Sequence, residues 1–152
     1  MAHYPVNHPL RPLYRALSGL VGIYLIIFGI VGLVVTSGDG LFGRAGHRVL
    51  GQGANLFWSI VCLILGAIVL VTTLLGRNLI TETDRYVGWG MLVVGTYGLA
   101  TARTDANVLD FSIATVVVTY LLGLVLIMAG LYGKVGTEEE SRAEQEAAHS
   151  PR

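Results

Sequence analysis

The chain has 152 residues, of which 53% are hydrophobic and 13% charged, and its formal net charge is zero; a soluble domain carries roughly 25% charged residues. Four stretches, 16–35, 56–75, 86–102 and 111–132, contain no Asp, Glu, Lys, Arg or His, and each is near the length that crosses a hydrocarbon layer of about 30 Å as a helix. This excludes a water-soluble enzyme, and the balanced charge excludes a nucleic-acid binder, which needs a strongly basic patch.

Residues 1–15 form a polar lead with Pro5, Pro9 and Pro12, the last suited to the first turn of a helix. The first apolar run, 16–35, exceeds the roughly 7–15 residues of a signal-peptide core and has no small-residue cleavage site after it. It is expected to be a retained first transmembrane helix. The connection 36–55 contains Gly38, Gly40, Gly43, Gly46, Gly51 and Gly53 and reads as a flexible loop. Asn55 is a suitable cap for the second span, 56–75. A short polar connection, 76–85, leads to the third span, 86–102. The loop 103–110 follows, with Asp110 expected to cap the fourth span, 111–132. The segment 133–152 carries Glu138, Glu139, Glu140, Glu144 and Glu146 and reads as an acidic, disordered tail. The predicted fold is an all-α four-helix transmembrane bundle: one domain over 16–132 with a polar lead and an acidic tail.

Short connections make neighbouring helices antiparallel, so both termini share a side with 76–85. Arg11, Arg15, Arg77, Arg85, Lys134 and Arg142 fall on that side, and Arg44, Arg48 and Arg103 on the other. The positive-inside rule then predicts a multi-pass plasma-membrane protein with both termini cytoplasmic. Tyr14, Tyr86, Trp89 and Tyr132 are expected to anchor one interface, and Phe57, Trp58 and Phe111 the other.

Glycines recur at a fixed step. Gly22, Gly29 and Gly32 in the first span, Gly88, Gly95 and Gly98 in the third, and Gly123, Gly130 and Gly133 in the fourth share the spacing G-x6-G-x2-G; the second has Ser59, Gly66 and Thr73. Seven residues turn a helix by about 700°, close to two whole turns, so each pair shares a face. Lipid gives helices no hydrophobic reason to associate, and close backbone approach at small residues supplies the attraction instead. These stripes are the expected helix-packing seams. The spacing also fits either an internal duplication, with offsets of about 66 for the first and third spans and 64 for the second and fourth, or a common packing demand.

Chemistry is sparse. The apolar stretches hold no ionisable residue, against a proton relay or ion-coupled carrier. They hold no His to ligate haem. Cys62 is a lone apolar packing residue, and His3 and His8 have no third metal ligand nearby. No catalytic, cofactor or metal site is expected. Span hydroxyls such as those of Tyr97, Thr115 and Tyr120 bond across helices or, on a sharper reading, line a quinone or lipid pocket. The loop 103–110 is the densest polar cluster at the membrane edge: Arg103 could pair with Asp105 or Asp110, and Arg103, Asp105, Asn107 and Asp110 are the candidate partner-binding residues.

The runs Pro5-Val6-Asn7-His8, Leu10-Arg11-Pro12-Leu13-Tyr14-Arg15, Arg103-Thr104-Asp105-Ala106-Asn107 and Ala129-Gly130-Leu131-Tyr132-Gly133-Lys134 resemble an actinobacterial family of small four-span membrane proteins known as a domain of unknown function. The resemblance covers about 5–136. It implies a plasma-membrane protein of four helices and carries over no activity, cofactor or site residue. The functional expectation is a non-catalytic accessory or scaffold subunit of a larger membrane complex, respiratory by analogy, in contact with lipids and other membrane subunits. The alternative is a small transporter or a lipid- or quinone-binding protein.

Overall fold

In a computed structural model that describes residues 7–137, the chain forms four helices: α1 (Arg11–Val35), α2 (Leu56–Leu75), α3 (Arg77–Thr101) and α4 (Ile113–Tyr132). A small antiparallel hairpin, β1 (Arg48–Val49) and β2 (Gln52–Gly53), interrupts the connection between α1 and α2. Residues 1–6 of the lead, with His3 and Pro5, and the acidic tail from Glu138 lie outside the described residues. The fold is all-α, and three helices, α1, α2 and α4, are long and apolar enough to cross a membrane.

The boundaries of α3 differ most from expectation. The segment 77–85, read from sequence as a polar connection, is the first turns of α3, and Gly76 alone separates it from α2. Gly76 has φ +68°, a left-handed conformation that glycine adopts without steric cost. Polar residues in 77–85 dilute the hydropathy signal but do not stop helix propagation, because none is a breaker. α1 likewise starts five residues early, at Arg11, with Pro12 in its first turn.

The helices pair as two hairpins, α1 with α2 and α3 with α4, and the crossings are made at glycines. A Cβ on Gly22 would lie 3.0 Å from the Leu70 backbone nitrogen and one on Gly29 2.7 Å from that of Leu63. A Cβ on Gly66 would lie 2.8 Å from the Gly22 carbonyl oxygen. In the second hairpin a Cβ on Gly88 would lie 2.7 Å from the Gly123 carbonyl oxygen, one on Gly123 3.0 Å from that of Gly88, and one on Gly130 2.8 Å from the Arg85 nitrogen. Gly32 meets Ser59, Gly98 meets Phe111, and Gly133 lies against the Ala129 carbonyl. Gly95 is looser: its Cβ would sit 3.5 Å from the Tyr120 ring, an ordinary contact. The two crossings correspond, with Gly22/Gly66 in one hairpin and Gly88/Gly123 in the other. Gly88 thus stands 66 residues after Gly22, and Gly123 stands 57 residues after Gly66.

The glycine-rich connection is folded, not a free loop. Leu50 and Gly51, both at positive φ, turn the β hairpin. Val49 and Ala54 are fully buried, and Gln52 donates to the Tyr24 hydroxyl. Beneath it, Trp58 and Phe111 meet edge to face at 4.8 Å, each almost fully buried. These two rings, expected as interface anchors, plug the core instead. Val21, Leu25, Phe28, Val69, Met91 and Leu126 continue the core along the bundle.

Candidate functional sites at the two ends and on the outer face of the third helix

The loops 36–55 and 102–112 meet at one end. Gly43 N donates to Val108 O at 3.2 Å and the Asn55 side chain donates to the same oxygen at 2.7 Å. Asn107 is buried and bonds Phe111 in both directions, its amide donating to Phe111 O and its Oδ1 accepting from Phe111 N, both at 2.9 Å. Asp110, at φ +55°, accepts from Gly46 N at 2.9 Å. It does not cap α4. Ser112 does, in a capping box with Thr115. Asp105 pairs with Arg44 at 3.6 Å rather than with Arg103, and Arg103 is exposed. Of the four residues expected to bind a partner, Asp110 thus ties the two loops together and Asn107 braces its own loop, while Arg103 and Asp105 face outward. The hydroxyls proposed to line a pocket are dispersed: Tyr97 donates to Ala106 O, Thr115 to Gly53 O, and Tyr120 pairs with Thr96.

The opposite end holds both described termini. Asn7 N donates to Lys134 O, its side-chain amide to Gly136 O, and Val135 N donates to Asn78 Oδ1. Tyr14 and Tyr132 stack at 5.5 Å, with His8 against both rings. The Arg15 guanidinium donates to Thr73 O at 2.9 Å and Leu74 O at 3.2 Å, satisfying carbonyls that the end of α2 leaves open.

Just inside this end lies Asp84, fully buried on α3. Ser18 of α1 donates to its Oδ1 at 2.8 Å, and the Thr73 hydroxyl lies 3.1 Å from that of Ser18. Among the described residues, Asp84 Oδ2 has no hydrogen-bond partner, nor has the buried Thr81 hydroxyl one turn before it. A buried carboxylate oxygen without a donor leaves its desolvation uncompensated. Sequence reasoning placed Asp84 in a connection because it lies two residues ahead of the apolar stretch. The signal was present in the glycine stripe: from Gly98, Gly95, Met91 and Gly88, the same steps of three and four lead back to Asp84 and Thr81. Ser18 stands four residues before Gly22 as Asp84 stands four before Gly88, so this hydrogen bond between the hairpins joins equivalent positions.

The outward side of α3 also departs from its neighbours. Tyr86, Trp89, Gly90, Val93, Thr96 and Leu99 are exposed along one stripe, and Gly90 has open space where a side chain would stand. The exposed stripe of α1 is Leu20, Ile23, Ile27, Ile30 and Val34, and that of α4 includes Val117, Leu121, Leu124 and Met128. Those faces suit acyl chains; the α3 face mixes aromatic, hydroxyl and bare backbone. Gly90 lies outside the G-x6-G-x2-G pattern, so the glycine spacing carries no sign of it.

No curated protein and no solved structure matches the chain. A family model does, over residues 15–132. The chain therefore belongs to the family described as Domain of unknown function (DUF4383).

Proposed function

We propose that the protein is a non-catalytic, four-span plasma-membrane protein with both termini in the cytoplasm, and that it serves as an accessory subunit of a larger membrane assembly, docked through the outer face of α3. The observation that carries this reading is that stripe. α3 is the helix whose composition alone does not qualify it to cross a membrane, yet it packs along α4 through Gly88 and Gly123. A helix with a bare glycine position between large side chains is better placed against another helix than against lipid. Gly90 supplies a notch where a second backbone can approach, flanked by Trp89 and Val93 as side-chain contacts. Exposed Arg103 and Asp105 lie beyond the end of the same helix and are positioned to bond a partner's loop. The six-to-three distribution of basic residues supports the orientation.

Affinity purification from native membranes with quantitative mass spectrometry, wild type beside Gly90→Leu, tests the proposal. The expected result is a stoichiometric membrane protein with wild type, and its loss with Gly90→Leu while the bundle stays folded. Equal recovery with both would rule the α3 face out as the interface. A second reading, a lipid-binding membrane protein, is favoured by the cavities around Asp84 and the terminal arginines.

A further inference from the structure

Two adjoining cavities at the terminal end share Arg11 and Arg15 as walls. The outer one, of about 290 Å³, is lined among the described residues by Asn7, His8, Arg11, Pro12 and Arg15, none of them a carboxylate. The inner one, of about 10 Å³, has Asp84 and Ile80 on one side and Ala129 and Gly133 on the other. That is room for about one water-sized group. The two chambers have opposite chemical needs. In the outer chamber the Arg11 side chain has no ion-pair or hydrogen-bond partner among the described residues. His8 accepts from Leu10 N through Nδ1, which leaves its Nε2–H as a donor. Arg15 is already committed to the end of α2. In the inner chamber Asp84 Oδ2 is a buried acceptor without a donor. Outside the walls of this chamber but next to Gly133, the Thr81 hydroxyl, also without a partner among the described residues, lies 3.4 Å from where a Cβ on Gly133 would stand. The negative end of the α4 dipole closes that side.

We propose that these chambers form a binding site for a phosphate–ammonium zwitterion, the headgroup of an aminophospholipid, with the phosphate on Arg11 and His8 and the primary ammonium on Asp84 and Thr81. A primary ammonium is a water-sized group with three donors, and it brings a positive charge to the buried Asp84 carboxylate. Phosphate is the partner an uncommitted guanidinium lacks here. A trimethylammonium has no N–H and exceeds the inner chamber, so a choline headgroup does not fit. The source is a bilayer lipid: Leu10 and Leu13, about half exposed at 49% and 52%, flank Arg11 and offer an apolar track for acyl chains. The site is independent of the α3 face, so its failure and that of the subunit reading are separable. It gives the lipid-binding reading a ligand class.

The test is native mass spectrometry of the full chain after incubation in detergent with equimolar phosphatidylethanolamine, phosphatidylcholine and phosphatidylglycerol. Wild type is expected to retain phosphatidylethanolamine at least about tenfold over either other lipid, the scale of a charge-assisted hydrogen bond. Asp84→Asn, which keeps the shape and the Ser18 bond, should abolish that preference, and Arg11→Gln should weaken retention of all three lipids. Thr81→Val guards against a folding artefact at Asp84 and should reduce the preference in a chain whose thermal unfolding matches wild type. Soluble phosphoethanolamine in excess should fail to displace the lipid if the acyl track contributes; full displacement would overturn the lipid source in favour of a free zwitterion. Equal retention of phosphatidylglycerol, or undiminished selectivity in Asp84→Asn, would overturn the site itself.

Discussion

Asn107 shows how a residue's type was legible and its role was not. In sequence it sits in a polar loop and suggests recognition or turn chemistry. In the structure it is buried and holds both backbone polar groups of Phe111, fixing the ring that meets Trp58. Both bonds reach only four residues along the chain, but the burial that turns Asn107 inward comes from packing, which no local pattern encodes. The cap of α4 is similar: Asp110 and Ser112 are both good capping residues, and the positive φ of Asp110, set by its bond to Gly46, hands the role to Ser112. Asn107→Ala should therefore cost about 1–3 kcal/mol, the cost of leaving buried backbone groups unpaired. Ser112→Ala should cost about 1 kcal/mol as a lost cap. Asp110→Asn, which retains an acceptor and tolerates positive φ, should cost less than either. Thermal unfolding in detergent ranks the three, and a larger loss for Asp110→Asn than for Ser112→Ala would contradict the capping assignment.

At the scale of elements, the three most apolar helices were legible because lipid demands an uninterrupted run of side chains. α3 was half legible: hydropathy marks where a helix turns greasy, not where it begins, so its polar first turns and Asp84 were assigned to a connection. The glycine stripes gave faces but not partners, which needed the contacts themselves. Those contacts also grade the glycines. Gly88→Ala should destabilise the bundle because its methyl would stand 2.7 Å from the Gly123 carbonyl oxygen, backbone that yields only if the hairpin opens. Gly95→Ala should be close to neutral, its methyl making an ordinary contact with Tyr120. Gly90→Ala, facing open space, should leave the isolated chain as stable as wild type or slightly stabler, since alanine favours the helix by up to about 1 kcal/mol. Equal unfolding temperatures for Gly88→Ala and Gly95→Ala would show that the seam has been misplaced.

For the whole molecule, the two glycine-crossed hairpins meet at Ser18 and Asp84 near one end and are closed by interlocked loops at the other. The split of basic residues supports the proposed orientation, with the terminal end towards the cytoplasm. Cysteines replacing Gly40 and Ala106, both exposed in the interlocked loops, should react with an impermeant thiol reagent in intact cells, whereas one replacing exposed Lys134 should react only after permeabilisation; the reverse pattern would invert the topology. The central claim, that the outer face of α3 meets another membrane protein, is tested most directly by photo-crosslinking in living cells from a diazirine side chain placed at Val93, with Ile27 on the lipid-facing stripe of α1 as the control. The account predicts one discrete protein adduct from position 93 and none from position 27. Only lipid adducts from both positions, or the same protein adducts from both, would contradict it.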